Sequence, residues 1–549
     1  MSFLITFMIQ SQTLKLIEIV NGCVVVTYPY DPSGKFQCVA KTVMGWRYAD
    51  GKWTFPLGHA ADVIDALSIF NCEVSPGVQE AAEQQRQKQA EYKRAQLKHI
   101  SRLLSSTDLS EPLPNGWTLR NYQQEGVQWL LAHSRGGLLK GGILADQPGL
   151  GKSIISLKAS QILQSYTGAK IVVICPVSIK LNWHKEASYI GLDIEVHSWG
   201  KIPPSVKGEF ILIADEAHLG MTETSARSKA MVKLAHSANC VAAWLLTGTP
   251  MKNGRPVNLF PLLKAIGHPL ANDKRSYLQR YCRPRKTPWG WSYDGADNLI
   301  ELNQKTNDGI LRRLKKDCLP ELPEKQTIVR EIELSSSELK DYEARIKTIQ
   351  DSYQDRVQRG EVKPGAEALI QLNAARQISS LLKVPYTIEL ALETLEQGES
   401  VVIFTEFIES AQLIHKKLGG ELLTGSVDQK ERQAMVDRFQ AKTSRIFIGT
   451  IKAGGVGLTL TAANDLILHD RPWDWTDLEQ ASDRVHRLGQ SENCFIYWMR
   501  LVGKIQIDEE VDALVDRKSV SIEKLLEGKE AGFNEVEELK KMAKRLKLI

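Results

Sequence analysis

The sequence predicts an α/β chain of two parallel-sheet lobes, with helical protrusions inserted between them and a small β-rich N-terminal module. Three observations carry this. An apolar run, Ile143 to Ala145, breaks into a loop holding Gly149 and Gly151 and then into a helical stretch from Ile154 to Leu163. A second apolar run, Phe210 to Ala214, ends on Asp215-Glu216-Ala217-His218. Buried-looking runs then recur at Val401 to Phe407 and Ile446 to Gly449, beyond a gap over residues 254–395 that is far too long for a loop. Strands alternating with helices call for sheets covered on both faces.

Composition sets the frame. At 549 residues the chain has room for three or four domains of roughly 100–200 residues each. Charged residues at 25% and hydrophobic ones at 43% describe a globular protein with ample core and exclude a disordered or fibrous chain. A net charge of +5 hints at a polyanionic partner without deciding the matter. Eight scattered cysteines form no C-x-x-C pair, which argues against a zinc ribbon or disulfide framework and for a reducing compartment, so a cytoplasmic location is expected, or a nuclear one in a eukaryote. The apolar start, Phe3 to Ile9, lacks a basic flank and is too short to span a bilayer, so it reads as a first strand, with no membrane partner.

Taken in order, residues 1–72 read as the β-rich module. Ile19, Val24, Val25, Val26 and Tyr28 suit a strand, Asp31-Pro32-Ser33-Gly34 a turn, and Phe36 to Val43 a second strand. Trp46-Arg47-Tyr48 and Trp53-Thr54-Phe55 flank a turn at Asp50-Gly51, and a short helix follows at 61–70. Its aromatics fit either a core or, with Arg47 and Lys52, a nucleic-acid contact. Residues 73–110 are a helical connector, whose 76–104 stretch of Gln, Glu, Lys, Arg and Ala suits a solvated helix.

Residues 111–325 form the first lobe. Strand, glycine loop and helix start are the order that polyphosphate binding needs, because glycines let backbone N–H groups converge on oxygens at the positive end of a helix. Lys152 would reach the β- and γ-phosphates and the Ser153 hydroxyl would ligate Mg²⁺. Asp146 stands where the strict phosphate-loop pattern has glycine. An apolar strand delivering Asp215 and Glu216 to its C-terminal edge gives a second Mg²⁺ ligand and a general base for water. A basic protrusion at about 254–320 carries Arg280 and Arg283 among Lys274, Arg275, Arg285 and Lys286, interleaved with Tyr277, Tyr281, Trp289 and Trp291; it suits either a nucleic-acid contact or a solvated helical face. A helical linker at 326–395, a second lobe at 396–515 and a C-terminal helical brace with a basic tail at 516–549 complete the chain.

The blocks resemble, in order and over about residues 115–515, those of Swi/Snf-type ATPases of helicase superfamily two. They are Leu119 to Leu130, the phosphate loop, Pro176 to Trp183, Asp215 to His218, Thr247 to Asn253, Thr450 to Leu458, and Gln480 to Gln490. The resemblance implies two RecA-like lobes that bind ATP with Mg²⁺. It puts Gln123 on the adenine edge with Arg120 beside it, and Asp146, Gly149, Gly151, Gly455 and Gln480 around the nucleotide. It implies DNA contact by Ser178, Lys180, Asn182, Thr249, Thr450 and Lys452. Arg484 and Arg487, three apart and so on one helix face, would be fingers toward the γ-phosphate, worth roughly 10³–10⁵ in rate. Gln147-Pro148 and Ser153 depart from the usual acid, methionine and threonine. The short run from Gly45 to Leu57 resembles the HARP-type accessory module of annealing helicases.

The expectation is therefore a monomeric, DNA-dependent ATPase that translocates on double-stranded or forked DNA and remodels it, with replication, repair or transcription proteins as possible partners. A motor that strips RNA polymerase or other proteins from DNA, and a DNA-binding scaffold with a vestigial ATP site, remain as alternatives.

Overall fold

The computed structural model describes residues 15–40, 43, 46–105, 107–136, 139–251, 254–287, 290–358, 367–454, 458–487, 489–526 and 535–546. The expected strand at Phe3 to Ile9 lies outside them. Two compact units are present, one over residues 1–105 with 136–138 and one holding the rest.

The first unit is built on a five-stranded sheet in the order β3-β4-β2-β1-β5. Its strands are β1 Leu16–Val20, β2 Cys23–Thr27, β3 Arg47–Ala49, β4 Lys52–Pro56 and β5 Glu73–Val74. Valines at 24, 25 and 26 are buried, as a β-branched run on a covered sheet should be. The stretch from Phe36 is not a second strand. Lys35–Ala40 is a helix, because the Asp31 carboxylate accepts hydrogen bonds from the backbone N–H groups of Ser33 and Phe36 at 2.9 Å each and so starts a helical turn. Phe36 and Ala40, four apart, then fall on one buried face. Trp53 is buried in the same core, with Trp46 at 5.4 Å ring to ring, while Arg47 and Lys52 are exposed. The helix Pro76–Leu104 packs on Ala60–Leu67, where Gln85 accepts from the Ala61 N–H and Arg86 pairs with Asp65 at 2.6 Å.

The second unit holds two six-stranded parallel sheets. The first lobe is ordered β13-β6-β10-β9-β7-β8 and comprises β6 Gly141–Leu144, β7 Lys170–Cys175, β8 Glu195–Ser198, β9 Phe210–Asp215, β10 Cys240–Leu246 and β13 Ile310–Leu311. Between β10 and β13 an antiparallel ribbon, β11 Arg285–Thr287 and β12 Gly290–Ser292, sets Lys286 opposite Trp291. The second lobe is ordered β14-β19-β18-β15-β17-β16, from β14 Lys325–Ile332, β15 Val401–Thr405, β16 Glu421–Leu423, β17 Ile446–Thr450, β18 Asp465–Leu468 and β19 Cys494–Leu501. The central strands are buried except at Asp215, the last residue of β9, which is why they read as unbroken apolar runs.

Residues 326–332, expected within a helical linker, belong instead with Lys325 to β14, paired in parallel with β19 along its whole length. Its outer face is exposed and polar, so no apolar run announces it. Helices Ser336–Gln358 and Glu367–Glu396 follow, and the latter lies against the second sheet. There Lys383 is buried between Asp470 at 3.2 Å and Asp508 at 3.1 Å. Among the described residues no helix is long and apolar enough to cross a membrane.

Candidate active site

Two positive-φ glycines shape the loop between β6 and the helix Lys152–Thr167. Gly149 has φ 87° and Gly151 φ 81°, conformations that side chains resist. A Cβ at Gly151 would lie 2.6 Å from Gln123 Nε2, so a side chain there would have to displace the Gln123 amide. The adenine-reading candidate Gln123 is thus buried directly over the loop, its Nε2 donating to Leu150 O at 3.4 Å. Arg120, at the start of the same helix, is ion-paired with Glu321 at the surface.

Lys152 Nζ donates to the loop's own carbonyls, Asp146 O at 2.7 Å and Gln147 O at 3.3 Å. Burial pushes its pKa down, opposed by the charges of Glu216, Asp146 and Asp215. A cation held by weak carbonyl partners, beside backbone N–H groups at a helix start, fits a polyphosphate.

The carboxylates stand at the C-terminal edge of β9. Trp183 Nε1 donates to Asp215 Oδ2 at 2.9 Å, the Glu216 N–H donates to its Oδ1 at 2.9 Å, and Trp199 Nε1 donates to Asp215 O at 2.8 Å. Burial, then the charge of Glu216, pushes the Asp215 pKa up to about 7. Burial acts on Glu216 in the same sense, but His218, with Nδ1 3.1 Å from Glu216 Oε2, and then Lys152 and Arg484 carry its pKa below the ordinary value. Glu216 itself adopts φ 51°, a left-handed conformation that costs a non-glycine residue roughly 1–3 kcal/mol and concentrates at functional sites. Ser153 hydrogen-bonds Glu186, whose pKa burial raises while Arg487 opposes. Asp215 and the Ser153 hydroxyl suit Mg²⁺, which takes one or two protein oxygens together with substrate phosphates.

Asp146 is turned onto Arg313. It is fully buried and paired with Arg313, whose Nε donates to Oδ1 at 3.1 Å and NH2 to Oδ2 at 2.5 Å, with the Arg313 N–H adding 3.0 Å to Oδ1. Arg313 also donates to Tyr122 O. The neighbouring Arg312 donates to Ala145 O at 3.1 Å and Gly248 O at 2.9 Å. Both arginines are absent from the sequence-based site: Arg312 ties the start of the phosphate loop to the Thr247-Gly248-Thr249 turn, and Arg313 ties it to Tyr122.

From the second lobe come Arg484 and Arg487. They are not on a helix: the helix Trp475–Ser482 ends first, and they occupy the turn beyond it. The turn is held by Arg484 itself, which donates from Nε to Gln480 O at 2.8 Å and from NH1 to Leu458 O at 3.1 Å, while Arg487 NH1 reaches the same Leu458 carbonyl at 2.9 Å. Both still converge on the first lobe. Arg487 Cβ lies 3.5 Å from where a Gly149 Cβ would be, and Arg484 is close enough to Glu216 for their charges to interact. Burial and Arg487 push the Arg484 pKa down to about 10. Gln480 is buried beside them, and Gly455 lies outside the described residues.

The nucleic-acid candidates do not form one set. Ser178 and Lys180 are half-buried on the loop after β7, and Lys452 is exposed after β17. Asn182 is half-buried on the helix Lys180–Ser188. Thr249 and Thr450 are buried, Thr249 giving its N–H to Thr247 Oγ1 at 3.1 Å. Arg280 is turned inward onto buried Glu301, and Arg283 is exposed near Asp297 at 3.8 Å.

Comparison with known proteins gives the same outline. Residues 122–199 and 201–381 match the SNF2-related domain, and residues 382–489 the helicase conserved C-terminal domain. An uncharacterized ATP-dependent helicase of Mycoplasma pneumoniae is 29% identical over 74% of this chain and 42% of its own length. The DNA annealing helicase and endonuclease of Mus musculus is 27% identical over 76% and 41%. A putative ATP-dependent helicase/translocase of Bacillus subtilis is 28% identical over 77% and 50%. The chain thus spans half or less of the length of these relatives. The SWI2/SNF2 ATPase core of Sulfolobus solfataricus, solved in complex with double-stranded DNA, aligns with 81% of this chain and 99% of its own at 23% identity and a TM-score of 0.36.

Proposed function

The chain belongs to the Swi/Snf family of helicase superfamily two, and on that premise we propose that it is a DNA-dependent ATPase that translocates on double-stranded DNA and remodels structures such as forks. The observation that carries this reading is the composite site. Lys152, Asp215 and Glu216 come from one lobe, Arg484 and Arg487 from the other, and Arg487 is packed against Gly149 of the phosphate loop. A site divided between lobes is complete only when they close, so nucleotide turnover and lobe motion are coupled.

In this mechanism Gly149, Gly151 and the start of the helix Lys152–Thr167 bind the phosphates through backbone N–H groups. Lys152 exchanges its two carbonyl partners for phosphate oxygens. Ser153 and Asp215 would hold Mg²⁺, which would supply charge neutralisation. Glu216, kept ionised by His218 and Lys152, accepts the proton of the attacking water. Arg484 and Arg487 stabilise charge on the transferring phosphoryl group.

DNA would run over cations of both lobes, half-buried Lys180 after β7 and exposed Lys452 after β17, with Ser178 just before Lys180 and Asn182 on the helix that Lys180 begins. The ribbon β11–β12, bearing exposed Arg285, Lys286 and Trp291, offers backbone contact and a stacking ring. Arg47 and Lys52 of the first unit make a second basic face, the reason to favour forks.

The test is ATP hydrolysis with no nucleic acid, single-stranded DNA, duplex, fork and RNA, alongside Lys152→Ala. Stimulation by duplex or fork, lost in the variant, is expected. Stimulation by single strands or RNA alone would overturn the duplex reading, and no hydrolysis under any condition would favour the scaffold.

A further inference from the structure

Between the lobes lies a buried lysine that the mechanism does not use. After β13 the chain continues through Arg312 and Arg313 into the four-residue helix Lys315–Cys318. The Lys315 N–H donates to Gln147 Oε1 on the phosphate loop at 2.6 Å. Its Nζ crosses to the second lobe, donating to Asp483 Oδ1 at 2.6 Å and to His486 O at 3.0 Å. Those two acceptors flank Arg484 and precede Arg487. The stem of Lys315 also fills the space over Gly149, its Cε 3.2 Å from where a Cβ there would be. Lys315 and Asp483 are 9% and 7% exposed.

We propose that Lys315 is a positioning residue, a strut that fixes the finger-bearing turn at Asp483 to Arg487 in register with the phosphate loop. Apolar residues of similar volume would fill this seam at no desolvation cost, so an ion pair here contributes geometry more than stability. Register is what a divided site lacks. The turn has no helix to hold it after Ser482; its arginines donate to the Leu458 and Gln480 carbonyls of the second lobe, and His486 Nε2 lies 2.8 Å from Pro323 O. The Lys315 ammonium ties the turn's own acceptors, Asp483 Oδ1 and His486 O, to a segment that is hydrogen-bonded to the phosphate loop. Misplacing a reacting group by about 1 Å costs on the order of 10² in rate. The inference rests on the reading that this site hydrolyses ATP.

The experiment uses the full chain with saturating duplex DNA and compares Lys315→Met, Asp483→Asn, the double variant and Lys315→Arg. Each single change should lower kcat by roughly 10- to 100-fold with nucleotide affinity little changed. The double should be no worse than either single, because the two act as one unit. Lys315→Arg, which keeps the charge, should recover part of the loss. Unchanged kcat in Lys315→Met, additive losses, or a loss seen wholly in nucleotide affinity would overturn the proposal. Hydrogen exchange over residues 483–487 with a non-hydrolysable ATP analogue separates this from the functional reading. The analogue should protect the turn in the wild-type protein and not in Lys315→Met; equal protection in both refutes the strut even if the wild-type protein hydrolyses nothing, and loss of protection without hydrolysis keeps the strut and removes the motor.

Discussion

Replacing Arg313 by Met should open the first lobe at the phosphate loop. Asp146 is fully buried, and the Arg313 side chain supplies two of the three hydrogen bonds described to its carboxylate, at 3.1 and 2.5 Å, the third coming from the Arg313 backbone N–H. Unit charges about 4 Å apart attract by roughly 4 kcal/mol at an effective dielectric near 20. Removing one partner of a buried pair costs about 3–5 kcal/mol, because the remaining charge stays dry and uncompensated. Methionine retains the stem's packing, so the loss is electrostatic. Hydrogen exchange of the β6 and β10 amides, followed across a urea titration, reads the local opening free energy. Arg313→Met should lower it by about 3–5 kcal/mol, and Asp146→Asn added to it should restore at least half. A loss below about 1 kcal/mol, or a double variant worse than the single, would show that Asp146 is solvated or differently paired and that its place in the loop has another cause.

Glu216→Gln should cut hydrolysis by about 10²–10⁴ while leaving nucleotide binding intact, checked by steady-state rates beside equilibrium binding. Gly454→Ala places a Cβ within 3.0 Å of the Phe404 ring and should destabilise the second lobe by about 1–3 kcal/mol, with Phe404→Leu relieving part of it, as read by thermal unfolding. Burial alone would raise the Asp470 pKa, but Lys383, His469 and the hydroxyls of Thr405 and Ser380 hold it well below the ordinary 3.8. A depressed carboxylate contributes stability that is present above its unfolded pKa and lost as pH falls through the folded one. Asp470→Asn should therefore flatten the urea midpoint of the second lobe below about pH 4, and an unchanged acid limb would remove Asp470 from that role.

The chemistry-bearing strands were legible because they are local. Ile143 to Ala145 and Phe210 to Ala214 are unbroken apolar runs, and their loops follow within a few residues. Arg313 and Lys315 were not legible, since each reaches a partner about as far along the chain as a domain is long: |i−j| is 167 for Arg313 and Asp146, and 168 for Lys315 and Asp483. Nothing in the sequence near Arg313 marks it apart from arginines that stay at the surface. Lys325–Ile332 hid for a different reason. It covers one edge of its sheet with charged residues outward, so only its pairing to Cys494–Leu501 makes it a strand. The Phe36 segment misled because Phe36, Val39 and Ala40 read as an apolar run, while the deciding feature was the Asp31 carboxylate five residues upstream of Phe36. Arg484 and Arg487 were expected on one helix face but occupy the turn beyond the helix end, where side-chain bonds to the Leu458 and Gln480 carbonyls hold them.

The measurement closest to the central claim is displacement of a third strand from a triplex placed at the end of a duplex, with ATP and Mg²⁺, by the wild-type protein and by Glu216→Gln. Directional movement along duplex DNA predicts displacement that depends on hydrolysis and disappears in the variant. Duplex-stimulated ATP hydrolysis with the third strand left in place would contradict translocation and leave a DNA-stimulated ATPase that does not travel.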